Sequence, residues 1–260
     1  MTALLRAQGV TRWFGGVRAL SEASIEVAAG SIAGLIGPNG SGKTTLFNVI
    51  TGYERPDAGE VYLGDEVITN EPPHRIFARG IGRTFQLTRT FPRLTVLENM
   101  LVAAQPGGSG GRRWHLPLAR AGGAADRRRA MELLKFTGLA GHAAAPAGTL
   151  SYGQRKLLEL SFVLIAEPAV VLLDEPAGGV NPSLINEIAA RIRELNAAGT
   201  TFLIVEHNME FVMGLCDRVT VLDYGTVVAE GPPATIRTDP RVLDAYLGAA
   251  EEDEDNAAAW

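Results

Sequence analysis

The chain has 260 residues, 46% of them hydrophobic, which is enough for one large core or for one core with a smaller satellite domain. Its net charge of -5 equals the charge of the five consecutive acids at 251–255, so the remainder is neutral and nothing favours nucleic acid as a partner. The single cysteine, Cys216, excludes an intramolecular disulfide and is expected to be a small buried hydrophobe. The absence of a membrane span or signal-peptide core predicts a soluble, cytoplasmic chain that can still dock onto a membrane protein.

Strands are predicted over the first 30 residues. Ala23, Ile25 and Val27 alternate with polar neighbours, the two-residue period of a half-buried strand. Upstream, Trp13 and Phe14 precede a Gly-Gly turn. Either ring could stack on a purine base or pack as an ordinary aromatic side chain.

A phosphate-binding loop is the strongest signal in the sequence. An apolar run at 31–36 predicts a buried strand, and Lys43–Ile50 predicts a helix that ends before Gly52. Between them, the pattern G-x-x-x-x-G-K-[ST] lets backbone N–H groups surround a phosphate, a lysine reach the β and γ oxygens and a hydroxyl hold Mg²⁺. The loop consists of Gly37, Pro38, Asn39, Gly40, Ser41, Gly42, Lys43, Thr44 and Thr45.

The next segments predict a hairpin and a lone glutamine. A turn at Gly64-Asp65 joins two short strands, which suggests an antiparallel sheet leaning on the nucleotide-binding core. Gln86 follows residues 80–85 and precedes a basic, aromatic segment at 89–93. Its carboxamide can coordinate Mg²⁺ and accept a hydrogen bond from water, as a γ-phosphate sensor would, or it can be an ordinary solvated side chain.

Helices dominate the middle of the chain. One begins at Thr95; residues 105–125, rich in Gly, Ala and Arg, are predicted to be a flexible excursion with solvated arginines. A second helix resumes at Asp126. A third follows Ser151, which fits an N-cap, with Gln154 completing a capping box. Such a helix N-terminus is also an anion site, and the same atoms can serve both roles.

Two carboxylates at the end of a buried strand are the second strong signal. Residues 170–173 are apolar, and Asp174 and Glu175 follow at the edge where open α/β sheets bind ligands. A buried, unpaired charge costs several kcal/mol, so adjacent acids here favour a cation or a reaction. We expect Asp174 to hold the Mg²⁺ shell and Glu175 to polarise the attacking water.

The last third of the chain predicts more α/β structure. A helix opens at Asn181-Pro182, with Glu187 and Arg191 spaced as an i,i+4 ion pair. A strand at 200–205 ends at Glu206-His207, where the histidine is either structural or part of the site. A hairpin spans 218–230, a short helix covers about 241–247, and the acidic tail is predicted to be disordered.

Taken together, these motifs resemble the ATP-binding subunit of an ABC transporter. The resemblance extends to about Gly248 and rests on the order of the phosphate loop, Gln86, the signature Leu-Ser-Tyr-Gly-Gln at 150–154, the acid pair and His207. It implies an α/β fold: a RecA-like P-loop NTPase core with an antiparallel β subdomain and an inserted α-helical subdomain at about 87–167. The ATP-binding domain would span 1–248 and the acidic tail 249–260.

The resemblance also implies roles for the site residues. Two ATP-binding subunits, identical or paralogous, would pack head to tail, so that Ser151, Gly153 and Gln154 of one cover the ATP held by the other. Glu175 would be the catalytic carboxylate and His207 a clamp on the γ-phosphate. Gln86 would sense Mg²⁺ and the attacking water, with Thr44 and Asp174 completing the metal shell. Phe14 matches the adenine-stacking position, with Trp13 as the fallback.

Within that family the chain is most similar to the ATPases of branched-chain amino acid importers. The segments that carry this similarity are 95–100, 150–154, 174–182 and 239–248. Two positions depart from the general pattern: Tyr152 replaces a glycine of the signature, and Asn181 replaces a common aspartate. The implied partners are membrane permeases, received near 91–99, and indirectly a periplasmic solute-binding protein, with the chain on the inner face of the membrane.

Other functions stay open at this point. Within transport, the alternatives are a urea or amide importer and a lipid exporter. Outside transport, an ABC ATPase acting on DNA or ribosomes would have a coiled-coil insertion or a second ATPase domain, and the sequence has neither. A kinase or GTPase on the same loop would leave the signature unexplained, and no Asn-Lys-x-Asp segment occurs.

Overall fold

The computed structural model describes residues 3–84, 90–104 and 123–246, and the predictions for Gln86, for most of 105–125 and for the acidic tail lie outside these ranges. The strands are β1 (Ala3–Phe14), β2 (Val17–Ala28), β3 (Ile32–Ile36), β4 (Ala58–Leu63), β5 (Glu66–Val67), β6 (Ile81–Arg83), β7 (Val170–Asp174), β8 (Thr201–Val205), β9 (Arg218–Asp223) and β10 (Thr226–Gly231). The helices are α1 (Lys43–Ile50), α2 (Pro73–Ala78), α3 (Val96–Ala103), α4 (Ala124–Phe136), α5 (Tyr152–Leu164), α6 (Pro182–Ala197), α7 (Met209–Leu215) and α8 (Pro233–Ile236). Residues 240–246 are also helical.

The strands form two sheets. The smaller sheet is antiparallel, in the order β2-β1-β4-β5, and its alternating residues Ala23, Ile25 and Val27 are buried as the sequence predicts. The larger sheet has the order β10-β9-β3-β8-β7-β6. In it, β9, β3, β8, β7 and β6 run parallel, and β10 is added antiparallel to β9.

The larger sheet separates two hydrophobic cores. Every residue of β3, β7 and β8 is buried, as expected of parallel strands that are covered on both faces. Along β7, Val170 and Leu172 belong to the core shared with the antiparallel sheet, whereas Val171 and Leu173 belong to the core shared with the helices. This division follows from the two-residue period of a strand.

Helices α3, α4 and α5 are inserted between β6 and β7, and α3 and α5 begin with capping boxes, of which the one at Ser151 was predicted from the sequence. Thr95 caps α3, with Glu98 returning to its backbone, and Ser151 caps α5, with Gln154 in the same role. A polar residue that periodicity did not single out holds the turn before α3. Asn99 is buried, accepts a hydrogen bond from the N–H of Phe91 at 2.8 Å and donates to backbone oxygens between 91 and 95.

The predicted Glu187–Arg191 ion pair is wrong. The Arg191 guanidinium lies 3.2 Å from Glu194 instead, and its Cζ is 5.0 Å from the centroid of the Phe136 ring. Glu194 is the i,i+3 neighbour of Arg191 on the same helix, whereas Phe136 is the last residue of α4, so the spacing along α6 could not reveal that second contact.

Cys216 is buried, as expected, and burial raises the pKa of its thiol to about 12, so it packs as an inert apolar side chain. Across 3–84, 90–104 and 123–246, the helices all fall short of the length and apolar character needed to cross a bilayer.

Substitution of a fully buried aromatic residue tests this packing. Phe47 of α1 is 0% exposed between the two sheets, so Phe47→Ala should lower the free energy of unfolding by about 3–5 kcal/mol. Phe91→Ala is the matched control because Phe91 is 53% exposed, and it should change the stability by less than about 0.5 kcal/mol. Urea denaturation measures both, and equal effects would contradict the described core.

Candidate functional site

The phosphate loop lies between β3 and α1, and its glycines permit close backbone approach. Gly37 has a φ of 152°, and a Cβ at this position would lie 2.0 Å from the carbonyl oxygen of Leu222. Gly42 has a φ of 102°, and a Cβ there would lie 2.5 Å from the carbonyl oxygen of Ala19. A side chain at either position would therefore force the loop away from β9 or from the antiparallel sheet.

The N–H groups of the loop form a candidate anion site. In the described part of the chain, no acceptor takes the N–H groups of Gly40, Gly42, Lys43 or Thr44. Since the first N–H groups of a helix have no intrahelical partner and carry its positive end, this cluster fits a phosphate.

The side chain of Lys43 folds back over the same loop. Its Nζ donates to the carbonyl oxygens of Gly37 at 2.8 Å and Pro38 at 2.6 Å, and lies 3.3 Å from Ser41 Oγ. Burial lowers the pKa of Lys43 below its ordinary value, while the negative charges of Glu175 and Asp174 oppose that shift. The amine therefore sits between the loop and the acid pair.

The two residues of the acid pair lie at the end of β7 and differ in backbone conformation. Asp174 is buried as the last residue of the strand, its N–H donates to Thr84 Oγ1 at 3.1 Å, and its Oδ2 pairs with Arg83 at 3.1 Å. Glu175 has a φ of 47°, a left-handed conformation that is uncommon for a residue other than glycine. Its N–H donates to Val205 at 2.9 Å, so the turn stays attached to β8.

Strand register brings His207 beside Glu175. Asp174 is paired with Val205, so the residues that follow β7 and β8 leave the sheet side by side. His207 Nδ1 lies 3.8 Å from Glu175 Oε1, and the imidazole is 64% exposed. The histidine is therefore placed at the site edge and is not part of the core.

A buried carboxylate under these two residues was missed from the sequence. Glu206 is 0% exposed, and the N–H of Ala177 donates to its Oε1 at 2.5 Å. Its Oε2 accepts from the N–H groups of His207 at 3.0 Å and Asn208 at 3.2 Å. Glu206 thus joins the turn after Glu175 to the segment carrying His207. In the sequence, the one indication of this role was that Glu206 directly follows a buried strand, as Glu175 does.

Arg83 is a second residue that the sequence did not reveal. Its guanidinium is buried, and besides Asp174 it donates to Asn48 Oδ1 at 2.8 Å and Thr51 Oγ1 at 2.9 Å. It therefore ties the end of α1 to Asp174, the last residue of β7.

The signature residues lie at the start of α5. Ser151 and Gln154 form the reciprocal cap, with N–H to side-chain oxygen distances of 3.2 and 2.9 Å. A Cβ on Gly153 would lie 2.0 Å from Leu184 Cδ2, so a larger residue here would displace the end of the Leu184 side chain on α6. In the described residues no hydrogen bond joins this helix end to the phosphate loop, and Ser151 is exposed.

Both aromatic candidates for base stacking remain exposed. Phe14 is 43% exposed and its ring is covered on one side by Arg12, whose Cζ lies 4.7 Å from the centroid. Arg12 is held by Glu54 at 3.0 Å. Trp13 is 44% exposed, with Arg18 at 5.5 Å from its ring. Geometry alone leaves both rings available.

Comparison with known proteins decides the family. The sequence profile of the ABC transporter family matches residues 20–178. The chain belongs to the ABC transporter family. A second profile, that of the branched-chain amino acid ATP-binding cassette transporter, matches residues 226–252. This chain is thus an ABC-type ATPase, and nucleotide binding is a property of its family.

Several curated relatives of this ABC ATPase match along nearly their whole length. The high-affinity branched-chain amino acid transport ATP-binding protein LivG of Escherichia coli is 40% identical over 251 residues, covering 95% of this chain and 98% of the relative. The probable LivG protein of Archaeoglobus fulgidus is 39% identical, covering 96% and 97%.

Solved structures agree with the fold. An ATP-binding cassette of an ABC transporter in its ADP conformation is 36% identical with a TM-score of 0.86, covering 95% of this chain and 100% of that chain. A dimeric cassette bound to ADP and Pi is 26% identical with a TM-score of 0.75, covering 88% and 98%. The predicted P-loop NTPase fold of this ABC ATPase is confirmed.

Replacement of Glu206 by glutamine tests the role of this buried carboxylate, which joins two turns of the ABC ATPase. The amide nitrogen of Glu206→Gln would face a backbone N–H where the carboxylate now accepts, so the free energy of unfolding should fall by about 1.5–3 kcal/mol. The ATPase rate should fall as well, because both neighbouring turns lose their shared acceptor. Denaturation and steady-state ATPase assays measure the two effects. Glu210→Gln, on the exposed side of α7, is the control, and a Glu206→Gln variant as stable and active as this control would contradict the role of Glu206.

Proposed function

We propose that this ABC ATPase powers the uptake of branched-chain or related amino acids through partner membrane permeases. The observation that carries the proposal is the similarity to branched-chain amino acid transport ATP-binding proteins over 95–96% of the chain, together with the separate profile match at 226–252. ABC ATPases of such transporters dimerise and work with permeases, which would place the chain at the inner face of the membrane.

The residues present fit Mg·ATP. The unpaired N–H groups of the phosphate loop and the amine of Lys43 would hold the β- and γ-phosphates, and the exposed ring of Phe14, backed by Arg12, would stack on adenine. Thr44, Gln86 and Asp174 would hold the magnesium ion. When bound, Mg²⁺ neutralises charge on the transferred phosphoryl group.

Glu175 is proposed to orient and deprotonate the attacking water. Its carboxylate stands beside His207 at the strand edge, and it faces Lys43 closely enough to influence the pKa of that amine. His207 would donate from its exposed imidazole to the γ-phosphate. The left-handed backbone of Glu175 supports this role, because strained conformations persist where the surrounding contacts and the function require them.

The signature is proposed to act on the nucleotide of a second ATP-binding subunit. Ser151, Gly153 and Gln154 occupy an exposed helix N-terminus that makes no hydrogen bond to its own phosphate loop within the described ranges. Such a helix end binds anions, so in a head-to-tail dimer it would complete the partner's site.

The groove between core and inserted helices is proposed to receive a cytoplasmic helix of the permease. A cavity of about 630 Å³ lies there, lined mainly by apolar side chains that include Tyr53, Phe77 and Phe162. Arg83 lines the same cavity and forms an ion pair with Asp174, the proposed magnesium ligand. A helix seated in the cavity could therefore contact Asp174 through Arg83. Of the segment 91–99 expected to meet the permease, Phe91 is exposed, whereas Asn99 is buried and supports the backbone.

Replacement of the proposed base tests the mechanism. Glu175→Gln should lower ATP turnover by at least about 100-fold while equilibrium binding of Mg·ATP is retained, because only the proton acceptor is lost. Lys43→Ala is the contrasting variant and should weaken ATP binding itself. Wild-type turnover in Glu175→Gln would contradict the assignment.

A mixing experiment tests the shared site. Ser151→Trp should block hydrolysis by filling the space at the helix end, whereas Ser151→Ala, which loses only the cap and one contact, should keep part of the activity. Lys43→Ala and Ser151→Trp chains should each be inactive alone. Mixed together they should regain ATPase activity, since one site of the mixed dimer combines an intact loop with an intact signature. No recovery in the mixture would show that the two motifs do not meet between chains.

A further inference from the structure

A buried lysine of the signature helix contacts the turn that carries the acid pair. The sequence contains three lysines: Lys43 in the phosphate loop, Lys135 exposed on α4, and Lys156 on α5. Lys156 is only 7% exposed, and its Nζ donates to the backbone carbonyl oxygen of Glu175. A lysine is almost never buried without a specific partner, so this contact is a built feature of the fold.

The contact falls on a turn whose conformation is strained. The carbonyl of Glu175 also accepts from the N–H of Gly178 at 3.1 Å, which closes the turn after β7. On the core side the turn is held through the N–H of Glu175 on Val205 and the N–H of Ala177 on Glu206. On the side of the inserted helices, the turn accepts a hydrogen bond from Lys156.

Tyr152 also contacts both Lys156 and the turn after Glu175. These contacts give a physical reason for a tyrosine where the general signature has a glycine. Lys156 Nζ lies 5.7 Å from the centroid of the Tyr152 ring, which covers it at the start of α5. The same ring packs on Gly179, where an added Cβ would lie 3.2 Å from Tyr152 Cε1. The first turn of α5, next to Ser151, and the turn that follows Glu175 therefore form one packed unit.

We propose that Lys156 is a positioning residue for ATP hydrolysis. It holds the backbone of Glu175 so that the carboxylate faces the γ-phosphate, and it ties that orientation to the position of α5 in the same chain. When Ser151 at the head of α5 engages a nucleotide of the second subunit, the displacement of the helix reaches Glu175 through Lys156. The inference rests on the proposed function of Glu175 as the group that primes the water.

Substitution of Lys156 in the full chain separates positioning from binding. Lys156→Met keeps length and apolar packing but removes the donor, and it should lower kcat about 10- to 100-fold, as expected when a reacting group is misplaced by about 1 Å. KM and the equilibrium affinity for Mg·ATP should stay within about twofold, because neither the phosphate loop nor the proposed adenine contact changes. Lys156→Arg keeps a buried donor and should retain most of the turnover.

Controls distinguish this role from a general loss of structure. Lys135→Met removes the exposed lysine and should leave kcat, KM and thermal stability unchanged. If Lys156→Met does not fold, Lys156→Gln, whose shorter amide keeps polarity but cannot span to the carbonyl, should show the same selective fall in kcat. Unchanged kcat in the foldable variant, or a loss of ATP affinity parallel to kcat that Lys156→Arg does not rescue, would overturn the proposal.

The two proposals fail in different ways. If Glu175→Gln turns over at the wild-type rate, the assignment of the base is wrong and the role of Lys156 falls with it. If Glu175→Gln is inactive and Lys156→Met is fully active, the base stands and only the positioning role is wrong.

Discussion

Parallel hydrogen bonding among β3, β8 and β7 is the constraint on which the rest of the structure depends. Because the three strands run in the same direction, the segments that follow them leave the sheet at one edge. The phosphate loop follows β3, the acid pair ends β7 and His207 follows β8. Residues far apart in sequence thereby meet without any long loop having to reach across the molecule.

At this edge, the functional groups are held by buried polar side chains. Arg83 supports Asp174, Glu206 supports the turn after Glu175 and the backbone of His207, and Lys156 supports Glu175 from the opposite side. Burying an ionisable group costs free energy that even a good partner offsets only in part. Arg83, Glu206 and Lys156 therefore add little net stability, but together they fix the positions of the residues at the end of β7.

The geometry around Glu175 also depends on the position of the inserted helix α5. Helix α5 presents Ser151 to the outside and, one turn later, places Lys156 against Glu175. Its capping box satisfies the N–H groups of Ser151 and Gln154, and the N-terminus of such a helix is also an anion site. One helix thus contacts the turn that carries Glu175, the proposed base, and has an exposed serine at its N-terminus.

The sequence by itself determined the local features. The loop 37–45, the cap at Ser151, the helix start at Asn181 and the acid pair after an apolar strand were predictable because each depends on residues a few positions apart. Tertiary structure alone decided that Arg83 meets Asp174 across 91 positions, that Glu206 meets Ala177 across 29, and that Lys156 meets Glu175 across 19. It also turned Arg191 from Glu187 to Glu194 and Phe136. Except for Arg191–Glu194, which are i,i+3 neighbours on one helix, these pairings follow from strand register and helix packing, which bring together side chains that no local spacing relates.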